Sequence, residues 1–256
     1  MGSDRLTLEE TNYCARPLYM LTGTEGYEVG QIGSGTLLKH EGRLLVATAR
    51  HCLRSEADRS EEEYISLVGN LWIPQSLEHF EPYTVEGVFF VERARSLRAA
   101  SDLAIIQIHA PHSDSNFCDL DSVPMHTPSI GDRLMMAGYP KATSMILPLG
   151  PQKGEYFAGP VVLSGICNGE GTAPGLLSLR IEEPLILSTC DGMSGCPVFL
   201  VYPPDAPRIA ALVGIAVREM QSTGCIDFIP ATGITAHLSS FSQQVPSDGR
   251  RGFAVT

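Results

Sequence analysis

Short apolar runs separated by turn-forming residues are the feature of this chain that most limits its fold. From Gln31 onward these runs recur at intervals too short for helices, and helical periodicity is rare. Apolar residues make up 43% of the 256 residues, enough for a sizeable core. The candidate strands span residues 33–39, 43–47, 64–68, 71–74, 83–91, 103–109, 155–162, 176–181, 197–202, 209–217 and 225–229. The pattern predicts an all-β fold in two halves of similar size.

The composition between and outside these runs predicts the domain organisation. Residues 111–129 are rich in Pro, Ser and Asp and are typical of a linker between a first half at 29–110 and a second half at 130–243. The second half ends in a candidate short helix at 236–243. Residues 1–28 are mixed and polar and predict an N-terminal arm with little structure of its own. Residues 244–256 predict a disordered tail.

One loop of the second half has the residues of a nucleophile site. Residues 187–199 read L-S-T-C-D-G-M-S-G-C-P-V-F, so Ser194 lies between Gly192 and Gly195. Glycine tolerates positive φ and has no Cβ to obstruct an approaching group. Such a loop can direct the amides of Gly192 and Ser194 at one point, which is what an oxyanion hole requires. A turn of this composition before a strand is common, so the loop needs a base and a carboxylate to carry chemistry.

The first half supplies both groups in a suggestive context. His51 follows an apolar run directly, in T-A-R-H-C at 48–52, whereas the other six histidines lie in predicted turns, in or beside the linker, or without a motif. Asp102 opens the apolar run S-D-L-A-I-I at 101–106, where a buried carboxylate is costly unless it is paired. The order His51, Asp102, Ser194 is one of the known orders of a Ser-His-Asp triad.

Together these motifs resemble those of the trypsin-like (chymotrypsin-fold) serine proteases. The segment G-D-R-L-M-M-A-G-Y-P at 131–140 is also similar to the start of the second barrel in bacterial members, including the glutamyl-endopeptidase and HtrA-like branches. The resemblance covers roughly residues 30–235. It implies two antiparallel six-stranded β-barrels with the active site in the cleft between them. It also implies His51 as general base, Asp102 as its orienting partner, Ser194 as nucleophile, and the Gly192 and Ser194 amides as the oxyanion hole, without a cofactor or metal.

Departures from the family pattern carry their own implications. Met193 stands where the family usually has an Asp that pairs with a new N-terminus, so the resemblance implies activity that does not depend on N-terminal processing. Thr36 stands near the position of the cysteine that animal members bridge to the equivalent of Cys52, which removes that bridge. Cys190 and Cys225 stand at the positions of the bridge beside the primary pocket, and whether they pair is open.

The resemblance also indicates which residues contact substrate. It places the pocket floor at Ser188 and Thr189, neither of which is charged, so a buried Arg or Lys of the substrate would lack a counter-ion. We therefore expect cleavage after a small or apolar residue. Ala216, Val217 and Arg218 fall on the strand edge that binds substrate by strand addition. Ala216 stands where glutamyl endopeptidases have a His, and Arg218 replaces a more usual aromatic residue.

Charge and cysteine content exclude several other classes of protein. A net charge of −11 disfavours nucleic acid and anionic membranes as partners, and no apolar run is long enough to span a bilayer. The N-terminus lacks the apolar core of a signal peptide. Seven cysteines without a C-x-x-C pair argue against a zinc site and a full disulfide framework. One or two disulfides stay open, but we favour buried thiols and a cytoplasmic location.

The sequence thus predicts a serine endopeptidase with a protein or peptide substrate and a regulatory partner protein. Two alternatives fit the sequence less well. A catalytically silent peptide-binding module on the same fold has no need for the complete set of His51, Asp102, Ser194 and Gly192. An α/β-hydrolase esterase requires G-x-S-x-G followed by a helix, with the acid and the His after the Ser. Here Cys196 breaks that motif and His51 comes first, so the esterase hypothesis fits poorly.

Overall fold

A computed structural model describes most of the chain, and its described part is almost entirely β-structure. The described residues are 14–24, 27–53, 67–75, 81–90, 102–110, 116–122, 126–149, 153–182, 190–203, 210–220 and 224–242. None of the helices within these ranges is long and apolar enough to cross a membrane. The predicted tail at 244–256 lies outside the described residues.

The first half forms a seven-stranded sheet that curls into a barrel. Its strands are β1 (Ala15–Thr24), β2 (Tyr27–His40), β3 (Arg43–Ala49), β4 (Leu71–Trp72), β5 (Thr84–Phe90), β6 (Leu103–His109) and β7 (Cys118–Asp119). Six of them pair antiparallel in the order β4-β1-β2-β3-β6-β5. The two ends of this series meet beyond β4 and before β5, where the Tyr83 amide donates to the Ile73 carbonyl at 2.9 Å and Pro74 bridges Pro82.

The predicted hairpin around residues 40–42 is confirmed, and its turn fixes the register of β2 against β3. His40 lies opposite Arg43, and the two residues between them have positive φ, 49° at Glu41 and 74° at Gly42. Two consecutive positive φ values define a type I′ turn, whose twist suits a two-residue hairpin. The register runs on to Thr36 opposite Ala47. Strand β3 ends two residues later, at Ala49, and a short helix, α1 (Arg50–Leu53), follows directly.

The prediction of an unstructured arm at 1–28 is wrong for the residues that the structure describes. Strand β1 lies between β2 and β4, and Ala15, Leu18 and Tyr19 are buried. Arg16 and a proline concealed the strand in the sequence. The Arg16 side chain is only 3% exposed. Its guanidinium donates to the Gln75 carbonyl at 2.9 and 3.2 Å and to the Ala15 carbonyl at 2.8 Å. A buried guanidinium with such partners is compatible with a barrel wall.

The predicted linker at 111–129 contains regular structure in its described part. Strand β7 pairs in parallel with β2, with Cys118 opposite Leu38, and the Leu120 amide donates to the Lys39 carbonyl at 2.9 Å. This pairing continues the edge of β2 just beyond the point where β1 begins opposite Thr36. The connection between the two halves is therefore attached to the first barrel over this stretch.

The second half forms a closed barrel, as predicted. Its strands are β8 (Arg133–Gly138), β11 (Val161–Glu170), β12 (Leu177–Ile181), β13 (Pro197–Val201), β14 (Ala210–Met220) and β15 (Cys225–Pro230), which pair antiparallel around the ring β11-β12-β15-β14-β13-β8. A separate hairpin of β9 (Ser144–Leu149) and β10 (Lys153–Ala158) precedes β11.

A C-terminal helix, α2 (Ala231–Ser242), follows the second barrel and confirms the predicted short helix. It begins five residues before the predicted start at 236, because Ala231, Ile234 and Leu238 form a buried stripe at helical spacing. Gly233 and the threonines nearby are weak helix formers and hid the first turn in the sequence. Packing of the buried stripe, rather than intrinsic propensity, therefore sets the start of the helix.

The core consists of two clusters of buried apolar side chains. One fills the first barrel and extends across β13, β14, β15 and α2 through Phe199, Ile215, Ile229, Ile234 and Leu238. The other fills the second barrel. The first cluster therefore joins the two barrels, and the predicted all-β fold of two six-stranded antiparallel barrels with a short terminal helix is confirmed.

Candidate active site

The pairing of β3 with β6 brings His51 and Asp102 together. Ala49, the last residue of β3, lies opposite Leu103, the first residue of β6. His51 follows in α1, and Asp102 directly precedes β6. The backbone amide of His51 donates to Oδ1 of Asp102 at 3.1 Å, which ties the start of the helix to the carboxylate. The strand register thus determines the position of both side chains.

Ser194, from the second barrel, completes a chain of three polar side chains. Nδ1 of His51 lies 2.9 Å from Oδ2 and 3.2 Å from Oδ1 of Asp102, and Nε2 lies 3.1 Å from Oγ of Ser194. The side chain of His51 is 52% exposed and that of Asp102 24%. In the neutral form of the ring, with Nδ1–H donating to the carboxylate, Nε2 is the acceptor for the Ser194 hydroxyl. The structure thus brings all three predicted triad residues into hydrogen-bond contact.

Electrostatics at this site favour the protonated form of His51. The hydrogen bond to Asp102 raises the pKa of the imidazole above its ordinary value of 6.5, because the carboxylate stabilises the imidazolium. The neighbouring Cys52 side chain acts on the pKa in the same direction, and desolvation acts against both. An imidazole held in this way can take up the proton of a hydroxyl more readily than an unpaired one.

Two consecutive tight turns shape the loop that carries Ser194. The amide of Met193 donates to the Cys190 carbonyl at 2.9 Å, and the amide of Cys196 donates to the Met193 carbonyl at 3.0 Å. In each turn the third residue is a glycine with positive φ, 95° at Gly192 and 93° at Gly195. This combination defines a type II turn, which demands glycine at that position.

The turns leave two amides available at the position predicted for an oxyanion hole. The amides of Met193, Gly195 and Cys196 each donate to a backbone carbonyl. Among the described residues, no backbone carbonyl accepts from the amides of Gly192 or Ser194. Gly192 has no space for a side chain, because a Cβ there would lie 2.8 Å from both the Lys141 nitrogen and the Tyr139 oxygen. Both the conformation and the packing therefore require glycine at 192.

Strand β2 of the first barrel holds this loop from behind, which the sequence did not reveal. The Ser34 hydroxyl donates to the Gly192 carbonyl at 2.7 Å and accepts from the Tyr139 amide at 3.0 Å. The Ser34 amide donates to the Ser194 carbonyl at 2.9 Å, and the Thr36 hydroxyl donates to the Gly195 carbonyl at 2.8 Å. The available signal was two hydroxyl residues in G-S-G-T at 33–36, directly before the apolar pair Leu37 and Leu38.

The residues predicted to contact substrate fall into two groups. Ser188 and Thr189 lie outside the described residues. Ala216 lies beside the nucleophile loop, accepting from the Gly195 amide at 2.7 Å and donating to the Cys196 carbonyl at 2.9 Å. Val217 is buried and Arg218 is exposed farther along β14. Strand β13 pairs with β14 only as far as Ile215, so the edge at 217–218 extends past the end of β13.

The surroundings of Cys52 differ in detail from the sequence expectation. Gly33, rather than Thr36, lies against Cys52, since a Cβ on Gly33 would be 2.6 Å from the Cys52 sulfur. Met193 is 2% exposed and belongs to the core of the second barrel.

Within the described part of the chain, no group of three His, Cys, Asp or Glu side chains is arranged to hold a metal ion.

Comparison with known proteins adds a family and a fold. The family model described as a trypsin-like peptidase domain matches residues 33–202. No curated protein matches the sequence. Among solved structures, a kallikrein-related peptidase 10 complex with Zn²⁺ is similar at a TM-score of 0.57 and 12% identity, covering 92% of this chain and 98% of that one.

Two further solved structures share the architecture. A human heparin binding protein is similar at a TM-score of 0.59 and 14% identity, covering 93% of this chain and 94% of that one. A thermostable serine protease from an extremophilic microorganism is similar at 0.54 and 13%, covering 93% and 100%. Identities this low establish the fold alone, and the fold is that of the chymotrypsin type.

Proposed function

The chain belongs to the trypsin-like peptidase domain family, and on this premise we propose that it is a serine endopeptidase. The observation that carries the proposal is the contact of His51 Nε2 with Ser194 Oγ at 3.1 Å, with Asp102 on the other ring nitrogen at 2.9 Å. A nucleophile, a base and an orienting carboxylate in this arrangement are what acyl transfer from a peptide requires.

In the proposed reaction the Ser194 oxygen attacks the carbonyl carbon of the scissile peptide bond while its proton moves to Nε2 of His51. The negative charge on the former carbonyl oxygen is stabilised by the amides of Gly192 and Ser194. His51 then returns the proton to the leaving amine as the carbon–nitrogen bond breaks, which leaves an acyl group on Ser194. A water molecule, deprotonated by His51, releases the acid and restores the hydroxyl.

Substrate binding is proposed along the edge of β14 that β13 does not cover among the described residues. An extended peptide would add as a strand beside Val217 and Arg218, past the point where β13 leaves β14 at Ile215. The uncharged residues Ser188 and Thr189 favour a small or apolar residue before the scissile bond. The exposed guanidinium of Arg218 would favour acidic side chains farther from that bond.

The proposal extends to the setting of the enzyme. Because Met193 is buried among apolar side chains and has no carboxylate, activity would not depend on a newly exposed N-terminus. We place the enzyme in the cytoplasm, where its seven cysteines would stay reduced, and we expect a regulatory partner protein to restrain it. A polyanion such as the ligand named in the human heparin binding protein does not suit a chain with a net charge of −11.

Profiling on a peptide library, combined with labelling by a fluorophosphonate, tests the proposal. Wild-type protein should cleave a defined set of peptides and label covalently, and Ser194→Ala should do neither. Ser122→Ala, which removes an exposed serine on the first barrel, serves as the matched control and should behave as wild type. Peptide cleavage retained in Ser194→Ala would refute the mechanism. Peptide binding without cleavage or labelling would identify the silent binding module instead.

A further inference from the structure

The described residues of the nucleophile loop are anchored to the opposite barrel at three successive points. The carbonyls of Gly192, Ser194 and Gly195 accept hydrogen bonds from the Ser34 hydroxyl, the Ser34 amide and the Thr36 hydroxyl at 2.7, 2.9 and 2.8 Å. Ser34 and Thr36 are fully buried, with exposures of 0%. Ser34 is itself held, because its carbonyl accepts from the Thr48 hydroxyl at 2.7 Å.

These anchors determine the orientation of the peptide groups in the loop. A peptide group is planar, so fixing a carbonyl also fixes the amide of the next residue. The group linking Gly192 to Met193 is fixed by Ser34, and the group linking Ser194 to Gly195 is fixed by Ser34 and by the Ala216 carbonyl. Between them lies the group that carries the Ser194 amide. The carbonyl of that group, on Met193, accepts from the Cys196 amide at 3.0 Å within the second turn. Its direction is therefore set by this turn together with neighbours that are both bonded to β2.

We propose that Ser34 and Thr36 are positioning residues that hold the two type II turns in the form that exposes the Gly192 and Ser194 amides. The proposal rests on the proposed peptidase function. It assigns to two hydroxyls of β2 the task of preforming the oxyanion hole. An anchor built into the folded barrels is complete without any cleavage of the chain, which agrees with a buried, uncharged Met193 at the centre of the loop.

A merely structural role for these hydroxyls makes a different prediction. If they only satisfied buried polar groups between the barrels, their removal would lower stability and leave the turnover of folded protein unchanged. If they position the amides, their removal lowers kcat and weakens binding of a transition-state analogue, while KM changes little. The distinguishing measurement is therefore the split between kcat and KM below the unfolding temperature.

The residue Thr36 offers a matched pair of substitutions. Thr36→Val keeps the shape and removes the hydroxyl, whereas Thr36→Ser keeps the hydroxyl and removes a methyl group. Ser34→Ala tests the second anchor, and Ser178→Ala removes a buried serine from β12, which pairs with β11 and β15. The measurements are kcat and KM on a cleaved library peptide, the inhibition constant of a peptide boronic acid, and hydrogen exchange at residues 190–196.

We expect Thr36→Val and Ser34→Ala each to lower kcat about 10- to 100-fold and to weaken the boronic acid by a similar factor, since part of one oxyanion-hole interaction is lost. KM should stay within about twofold, and Thr36→Ser and Ser178→Ala should stay within about threefold of wild type in kcat. Amides of Met193, Gly195 and Cys196 should exchange faster in the two deleterious variants. If Ser34→Ala does not fold, the Thr36 pair decides the question.

The outcomes separate this proposal from the proposed function. An active wild type with unchanged kcat in Thr36→Val and Ser34→Ala would overturn the positioning role and leave the peptidase assignment intact. A wild type that neither cleaves peptides nor labels with a fluorophosphonate would end the peptidase assignment. In that case hydrogen exchange still tests whether Ser34 and Thr36 anchor the loop. Unchanged exchange at residues 190–196 in both variants would overturn the anchoring, and faster exchange would support it.

Discussion

Nε2 of His51 lies 3.1 Å from Oγ of Ser194, although 143 residues separate the two in sequence and each belongs to a different barrel. The contact depends on two unrelated features of the fold. The pairing of Ala49 with Leu103 places His51 against Asp102, and the anchoring of residues 192–195 on β2 places Ser194 against His51. The geometry of the candidate site is thus a product of strand register in one barrel and of the contact between the barrels.

The pH dependence of the reaction should reflect the pairing of His51 with Asp102. The general base acts in its neutral form, and Asp102 raises the pKa of His51 above 6.5, so kcat/KM should rise with pH through a midpoint above 6.5. Asp102→Asn removes the carboxylate, which should lower the rate about 10⁴-fold and move the midpoint toward lower pH. Initial rates measured between about pH 5 and 10 test this, and a wild-type midpoint at or below 6.5 would contradict it.

Substitution of Gly192 should lower kcat, because Gly192 carries one of the two amides proposed for the oxyanion hole. Gly192→Ala introduces a Cβ at a φ of 95° and 2.8 Å from backbone atoms of Lys141 and Tyr139, which displaces one oxyanion donor. We expect kcat to fall about 10²- to 10³-fold with little change in KM. Gly131→Ala is the matched control, since Gly131 has a φ of 90° and no atom within 4 Å of an added Cβ. Equal effects of the two substitutions on kcat would count against the oxyanion assignment.

A carboxylate at position 193 should destabilise the protein. Met193 is buried in the second core cluster, beside the site of a Cβ on Gly138, so Met193→Asp would place an unpaired charge among apolar side chains. The free energy of unfolding should fall by about 3–5 kcal/mol, as for other unpaired buried charges. Met193→Leu conserves volume and should cost less than about 1.5 kcal/mol. Urea unfolding measures both, and similar midpoints for the two variants would show that residue 193 is not buried in solution.

The sequence predicted the elements that depend on local pattern. The two halves, the hairpin at 40–42 and the positions of His51, Asp102 and Ser194 follow from alternating apolar runs, a turn with glycine and short motifs. Each of these features is encoded by residues that lie close together in the sequence. Their meeting in space came from the family resemblance rather than from any local signal.

What the sequence did not reveal depends on long-range packing. Strand β1 was missed because Arg16 is a poor core residue in general, and its burial becomes acceptable through long-range partners such as the Gln75 carbonyl. The hydroxyls of Ser34 and Thr36 were missed because their acceptors lie about 160 residues away in the second barrel, a separation of 158 and 159 positions. No short window of sequence contains both partners of such a bond.

The hydrogen bonds from β2 to residues 192–195 have a consequence for how the protein loses activity. The same bonds hold the loop in shape and hold one barrel against the other. We therefore expect separation of the barrels to disrupt the nucleophile loop at the same step, so that a half-unfolded molecule should have no residual turnover. Inactivation by heat or urea should coincide with the cooperative unfolding transition. The activity that remains would then be proportional to the fraction of folded molecules.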